Sequence, residues 1–350
     1  MIIDANMHWL PEDLFTDEAL RDAFVNCVSR DDDWSCYVRV VPGTDLKQIV
    51  LEKPEGFENL NYIEKQYDVD AQLKDMDAAG VSVGILRVPC WQEWLTIDLC
   101  KQVNDRLYEH INRYPGRFRA LAVVPPWGDP ECLAEVERCL DKLGFSGVQM
   151  AVHYGRLYLD EPEFRSYFRE LNKLDVPVVV HHTPLPVDYG SLLKYTNLRR
   201  QLGRCVDQAT GVGREIFSDL FDECPNLKLV HSMLGGGFFA FVNGLAPEVV
   251  AVRDQLKRLD FNEEEVARVR RHLSDNIYFD TSGAPQWGKA QLECAVKVLG
   301  VDHILYGSSY PVRREWFVRG IEIINALDIP AESKSLILGG NAARLFKIGV

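Results

Sequence analysis

Short runs of consecutive apolar residues recur along the chain and are separated by longer, amphipathic stretches. Runs of this length suit β-strands that are buried on both faces, as in a parallel sheet. The amphipathic stretches 70–79, 130–143, 161–174 and 287–299 have the length and spacing of helices. Glycine follows at once after the first, second and fourth of them, as it often does at a helix C-terminus. The predicted strands are residues 1–4, 81–88, 118–124, 147–152, 176–182, 227–233, 277–281 and 303–307.

This alternation of strands and helices predicts an α/β fold of the (β/α)8, or TIM barrel, type. A doubly wound open sheet is the alternative, but its first strand normally leads into a glycine-rich phosphate-binding turn. Here the first strand leads into Asn-Met-His-Trp-Leu-Pro instead. We expect one barrel domain over residues 1–350, with an insertion at residues ~10–66 that caps the barrel mouth. Residues 184–210 are expected to form a long loop after the fifth strand.

Composition narrows the class of protein. The formal net charge of −13 is spread along 350 residues, and no basic stripe suited to nucleic acid is visible. No apolar run has the length of a membrane span, and the first residues lack the pattern of a signal peptide. The nine cysteines form no Cys-x-x-Cys pair, which is typical of thiols in a reducing compartment. We therefore expect a cytoplasmic protein with neither a nucleic-acid nor a membrane partner.

Histidine accumulates where the predicted strands end. In a parallel barrel these carboxyl ends carry the chemistry, and an imidazole there can exchange a proton near neutral pH. Their convergence on one rim therefore predicts a functional pocket. Cys90 also follows a predicted strand and is interpreted as a structural thiol, with a catalytic role as the alternative. The polar or sulfur-containing residues at these strand ends are Asn6, His8, Arg87, His153, His181, His182, His231, Met233, Asp280, Ser308 and Ser309.

Two further residue types indicate what the pocket binds. Arg87, or Arg313 just beyond the last strand, can hold a carboxylate through two parallel hydrogen bonds. Trp91 follows the second strand and can form an apolar wall against a planar ring. A small carboxylated or aromatic substrate is therefore expected.

Several motifs, taken in order, resemble the amidohydrolase superfamily. The similarity is to the branch of aminocarboxymuconate-semialdehyde decarboxylase and the aromatic-acid decarboxylases. It implies a barrel enzyme that cleaves a C–C or C–O bond and forms a homodimer. The matching segments are IIDANMHW at 2–9, GVQM at 147–150, VPVVVH at 176–181, NIYFDTSG at 276–283, ILYGSSYP at 304–311 and GNAARLF at 340–346.

The resemblance also implies a divalent metal held by two histidines of strand one, one of strand five and an aspartate of strand eight. The matching positions here are Asn6, His8, His181 and Ser309, so two of the four ligands are replaced. Two imidazoles with an amide and a hydroxyl make a poor zinc site, so no metal cofactor is expected.

Strand six also lacks a residue that the family resemblance implies. Met233 stands where the resemblance implies an acid/base histidine, and His231 lies two positions earlier. If zinc were bound after all, the ligands that we would expect are His8, His181 (or His182 in its place) and His231.

The leading hypothesis is therefore a metal-independent enzyme, a decarboxylase or hydrolase, acting on a small carboxylated, aromatic-derived compound. One alternative is a catalytically silent paralogue that serves as a partner subunit or ligand-binding protein. The other is a metal-dependent decarboxylase with altered ligands. The predicted catalytic residues are His8, His181, His182 and Asp280. The predicted substrate-binding residues are Asn6, Arg87, Trp91, His153, His231, Met233, Ser309 and Arg313.

Overall fold

A computed structural model describes residues 1–30, 32–247 and 262–349 of the chain. Its central sheet has eight parallel strands, which Ala5 nearly closes into a barrel by donating its N–H to Tyr306 O at 2.9 Å. The strands in chain order are β1 (Ile2–His8), β2 (Ser35–Val40), β3 (Lys47–Glu52), β4 (Glu58–Ile63), β5 (Val81–Arg87), β6 (Phe118–Val123), β7 (Gly147–Ala151), β8 (His153–Tyr154), β9 (Leu157–Tyr158), β10 (Pro177–His181), β11 (Lys228–His231), β12 (Ile277–Asp280) and β13 (Ile304–Leu305). The barrel order is β1-β5-β6-β7-β10-β11-β12-β13, so the prediction of a (β/α)8 barrel is confirmed.

Helices surround this sheet. Gly80 ends the second of them in the left-handed conformation, as its place after the amphipathic stretch predicts. The α-helices are α1 (Glu18–Asn26), α2 (Val69–Ala79), α3 (Ile97–Arg113), α4 (Pro130–Glu137), α5 (Arg165–Leu174), α6 (Gly203–Phe217), α7 (Leu220–Glu223), α8 (Val242–Leu245), α9 (Glu263–Asn276), α10 (Ala284–Leu299), α11 (Arg314–Asn325), α12 (Ala331–Ser335) and α13 (Asn341–Leu345). None of the helices in the described ranges is long and apolar enough to cross a membrane.

The prediction of a loop over residues 184–210 is wrong in its second half. A π-helical turn at Leu198–Leu202 leads directly into α6. The buried face of α6 carries Asp207, Gln208 and Glu215, all fully shielded from solvent. Because these positions are polar, the helix lacks the apolar periodicity on which a prediction from sequence depends.

The segment between β1 and α2 contains α1 and an antiparallel sheet in the order β2-β3-β4. Tyr62 of β4 donates its hydroxyl to Pro89 O at 2.6 Å, and Arg199 donates to the Asn59 side chain at 3.0 Å. These bonds hold the small sheet against the loops that follow β5 and β10. That this insertion is a cap within a single domain stays a prediction.

Apolar side chains fill the barrel. One cluster joins Val83, Leu121, Val179 and Val230 from strands β5, β6, β10 and β11, and Phe346 near the end of the chain packs against them. All are less than 6% exposed. This packed interior leaves the carboxyl ends of the strands as the place where a cavity can open.

Candidate active site

A cavity of about 340 Å³ opens at the carboxyl ends of the barrel strands, a size typical of small-molecule sites. The sheet of the inserted segment contributes Leu60, Asn61 and Tyr62, and the π-helical turn and the start of α6 contribute Arg200 and Arg204. Six of the predicted site residues line this cavity: His8, His181, His182, Met233, Ser309 and Arg313.

A buried guanidinium lies directly behind His8. Arg87 at the end of β5 is fully buried; its Nε donates to Asn6 Oδ1 at 2.9 Å, and its Nη2 lies 3.0 Å from His8 Nε2. Asn6 Nδ2 in turn donates to Asp280 Oδ2 at 2.7 Å. Arginine only donates, so His8 Nε2 accepts and the proton of this ring is on Nδ1.

A nearby carboxylate helps to keep the Arg87 guanidinium protonated. Burial lowers the pKa of Arg87 to about 10, while the nearby Asp280 carboxylate acts in the opposite direction. The group therefore stays protonated at neutral pH. Burial, reinforced by the charge of Arg87, holds the pKa of His8 well below its usual value, so that imidazole is neutral.

A second cluster joins a thiol to two imidazoles. The sulfur of Cys90 lies 3.3 Å from His181 Nδ1 and 3.9 Å from His182 Nε2. The two rings face one another with centroids 3.8 Å apart. Burial, together with the charges of Arg87 and Arg204, lowers the pKa of both histidines well below the usual value. Both rings are therefore neutral, which is the form that binds a metal ion.

The two clusters differ in their fitness for a metal. At Asn6 and His8, where the family resemblance implies two ligands, the guanidinium of Arg87 already occupies the donor atoms. A divalent cation does not fit there, because two cations would face each other in a buried space. Cys90, His181 and His182 instead bring one sulfur and two nitrogens within 4.8 Å of one another. This second set does fit a metal ion.

Three of the strand ends carry a non-glycine residue in the left-handed backbone region. The φ angles are 57° at Cys90, 56° at Met233 and 60° at Ser309, and all three residues line the cavity. Side-chain and backbone acceptors maintain these conformations: Met233 N–H donates to Ser282 Oγ at 2.9 Å, and Ser309 N–H donates to Asn6 O at 2.8 Å. Such strain costs stability and is concentrated at functional sites.

The structure places three predicted site residues away from the cavity. His231 is bound on both ring nitrogens, by Gln208 Oε1 at 2.8 Å and Glu215 Oε2 at 2.7 Å. Protein groups therefore occupy both nitrogens, and the substrate and zinc roles expected of His231 stay predictions. His153 is bound through one nitrogen, with Thr183 Oγ1 2.7 Å from its Nε2. Trp91 is fully buried in an aromatic cluster.

Arg204 is a candidate that the sequence interpretation missed. It lines the cavity from α6, and its Nε is buried without a hydrogen-bond partner among the described residues. Burial lowers its pKa from the usual value. Its position inside the predicted loop concealed it, since no signal in the sequence connects that segment with the barrel rim.

Together the barrel and its cavity define an enzyme-like class: a (β/α)8 protein whose rim combines neutral imidazoles, a thiol and buried guanidinium groups. The chain belongs to the Amidohydrolase family, whose model matches residues 3–348. The resemblance identified from the sequence motifs is therefore confirmed, as is the expectation of an enzyme of this superfamily.

Several of the similar proteins are decarboxylases. The chain is 29% identical over 303 residues to gamma-resorcylate decarboxylase of Rhizobium sp. (strain MTP-10005), covering 80% of this chain and 87% of that protein. The crystal structure of 2,6-dihydroxybenzoate decarboxylase from Rhizobium matches with a TM-score of 0.67 and 28% identity, covering 80% and 88%. The 5-carboxyvanillate decarboxylase of Novosphingobium aromaticivorans, complexed with manganese, shares the fold with a TM-score of 0.74 at 20% identity, covering 99% and 96%.

The expectation of no metal cofactor is wrong. Structurally similar decarboxylases are solved with bound manganese, and Cys90, His181 and His182 form a group able to hold a metal ion. The sequence interpretation failed here because it considered only histidines as replacement ligands and treated Cys90 as a structural thiol. Of the ligands that it allowed for zinc, His181 and its alternative His182 belong to this group.

Proposed function

We propose that this protein is a metal-assisted decarboxylase of a small aromatic carboxylate with a single ring. One observation carries the proposal: an unpartnered guanidinium nitrogen of Arg204 and three neutral imidazoles converge on one cavity of about 340 Å³. The decarboxylase relatives support the same reaction class.

Binding of the carboxylate is assigned to Arg204. One of its nitrogens, Nη2, donates to Asn59 O at 3.3 Å, which fixes the side chain, while Nε remains available for an anion. Arg200 lines the same cavity and adds positive charge. In a partly desolvated site, a charge-assisted hydrogen bond of this kind is stronger than a neutral one.

Proton transfer is assigned to the imidazole of His8. Decarboxylation breaks the bond between the ring and the carboxylate carbon and places a proton on the ring carbon as CO2 leaves. His8 Nδ1 carries the ring proton and is buried without a partner among the described residues, so it can deliver that proton and regain one from solvent. Arg87 restrains His8 from the other side through Nε2.

A divalent cation held by Cys90, His181 and His182 would supply Lewis-acid polarisation of a substrate oxygen. The aromatic and apolar groups of the cavity have a separate task. Tyr62, Met233 and Trp316 line it, and their burial of the ring excludes water from the reacting carbon. The homodimer expected from the family resemblance stays a prediction.

The reaction is tested with metal-loaded protein and 2,6-dihydroxybenzoate in deuterated buffer. We expect one equivalent of CO2 for each resorcinol, with deuterium at the ring carbon that carried the carboxylate. Related hydroxybenzoates define the preferred substitution pattern. Tight binding of these acids without turnover of any of them would instead identify a ligand-binding homologue.

Replacing Arg204 tests carboxylate binding. Arg204→Gln is expected to raise KM about 10- to 100-fold with a smaller change in kcat, because one charge-assisted hydrogen bond contributes roughly 1.5–3 kcal/mol. Arg313→Gln is the matched control: Arg313 lines the same cavity, but its side chain is 54% exposed. Solvent screening limits its expected effect to about threefold. Equal effects of the two changes would contradict a specific role for Arg204.

A further inference from the structure

We infer that the metal site of this protein has been displaced from the first strand to a cysteine-containing site, Cys90–His181–His182, which selects zinc or a similar thiophilic cation over manganese. The inference rests on the proposed function only in one respect, namely that the metal assists the decarboxylation. Metal binding itself is measured independently of turnover.

The separations of the donor atoms fit tetrahedral coordination. Zinc bonds of roughly 2.3 Å to sulfur and 2.0–2.1 Å to nitrogen place neighbouring ligand atoms about 3.6 Å apart. The sulfur of Cys90 is 3.3 Å from His181 Nδ1 and 3.9 Å from His182 Nε2, on either side of that value. Two of the three separations thus match tetrahedral geometry, and all three donor atoms lie within 4.8 Å of one another.

The backbone directs these side chains toward one point. Cys90 lies two positions beyond Val88, and its left-handed φ of 57° departs from the extended path of β5. His181 and His182 are consecutive residues at the end of β10, which would point to opposite sides in a continuing strand. The strand ends at His181, and both rings face each other and the thiol.

Both rings are buried beside the cavity. His181 and His182 are 1% and 7% exposed, and their nitrogens on the side away from the thiol, His181 Nε2 and His182 Nδ1, have no partner among the described residues. Those nitrogens can carry the ring protons, which leaves His181 Nδ1 and His182 Nε2 as the atoms that bind an ion. The cavity that the rings line gives the ion access.

The chemistry of sulfur determines the selectivity. Manganese prefers oxygen ligands and stands at the weak end of the stability order of divalent metals, whereas a thiolate favours zinc. Coordination forms a zinc–sulfur bond and releases the thiol proton of Cys90 to the buffer. The open position of a three-ligand site is left for a substrate oxygen, as catalytic zinc sites require.

Arg87 explains why the site moved. Its guanidinium, fully buried, is held by Asn6 Oδ1 and lies 3.0 Å from His8 Nε2. In the arrangement implied by the family, a metal supplies the positive charge at the first strand. Here the Arg87 guanidinium supplies it. A metal bound beside Cys90 is still next to the cavity. It shares no ligand with Arg87.

Cobalt substitution and zinc competition test this site on the full-length protein. Metal-free protein is titrated with Co²⁺ alone, and we expect the intense near-ultraviolet absorption of a sulfur-to-cobalt charge transfer. Zn²⁺ should remove this band at one equivalent, while Mn²⁺ should bind at least ~100-fold more weakly than Zn²⁺. These measurements need no variant, so they remain decisive if a substitution prevents folding.

Cys90→Ser is expected to abolish the charge-transfer band and to weaken zinc binding at least ~100-fold, since even the loss of a partner behind a ligand costs 10- to 100-fold. Cys100→Ser is the control, because Cys100 is equally buried and its thiol faces Leu95 O at 3.8 Å. It should leave both properties unchanged.

Two results would overturn the inference: a cobalt complex without the sulfur band, or manganese binding as tight as zinc binding. Failure to bind any of these metals would overturn it as well. A sulfur-ligated cobalt complex in protein that turns over no aromatic acid would leave the metal site in place and contradict only the decarboxylase. Turnover that is supported by manganese and insensitive to Cys90→Ser would support the decarboxylase and contradict the cysteine-containing metal site.

Discussion

Arg87→Met is expected to lower the free energy of unfolding by about 3–5 kcal/mol, because it leaves buried carboxylates without their compensating cation. Asp280 is fully buried and lies one hydrogen bond away through Asn6, whose Oδ1 would lose its guanidinium donor. Methionine fills much of the same space with an apolar chain, so cavity formation contributes little. Urea unfolding of metal-free protein, followed by circular dichroism, measures the change.

Two other substitutions isolate the charge in this experiment. Arg87→Lys retains a cation but loses the planar fork, and its destabilisation should lie between those of wild type and Arg87→Met. Arg117→Met is the surface control: Arg117 pairs with Asp77 at 2.8 Å, with side chains 31% and 67% exposed. An exposed pair of this kind is worth at most about 1 kcal/mol. A loss below about 1 kcal/mol in Arg87→Met would show that the buried charge is dispensable.

Gly236→Ala is expected to destabilise the fold by about 3 kcal/mol or more. Gly236 has a φ of +67°, and a Cβ placed on it would lie 1.9 Å from the carbonyl oxygen of Cys205 in α6. That oxygen belongs to a helix backbone and cannot move alone, so α6 and the turn after β11 must separate. The left-handed backbone adds a penalty of roughly 1–2 kcal/mol for a residue with a Cβ.

This substitution should also disturb the cavity. Met233, which lines the cavity, and Gly236 belong to one left-handed turn, in which the φ angles at residues 233–237 run from 51° to 84°. Gly244→Ala is the control, since no atom lies within 4 Å of its added Cβ and its φ is ordinary. It sits in α8, where alanine is preferred by roughly 0.5–1 kcal/mol. Thermal unfolding of the two variants distinguishes a local clash from a general intolerance of alanine.

The barrel could be predicted because its signal is local. Each apolar run was recognisable alone, and the observed strands β5, β6 and β7 begin at the predicted residues 81, 118 and 147. The helix α6 could not be predicted in the same way. Its inward face binds His231 through Gln208 and Glu215, so polar side chains occupy positions where the periodicity should be apolar.

Three of the predicted catalytic residues lie at the rim. His8, His181 and His182 line the cavity because the ends of parallel strands meet at one end of a barrel. Their catalytic roles stay predictions. His231 contacts α6 instead, and strand alternation alone does not say whether a buried ring faces the barrel or a helix outside it.

By itself, the sequence determined the barrel and its family, and it places Asn6 and Ser309 at two positions where the family resemblance implies metal ligands. Only the tertiary structure decided what surrounds these positions. It sets Arg87 against Asn6 and His8, and it joins Cys90 to His181 and His182 across a gap of about ninety residues. The physical reason is that periodicity and motifs depend on neighbours in the chain, whereas ligand sets and charge pairs depend on atoms that meet only when distant strands close into one barrel.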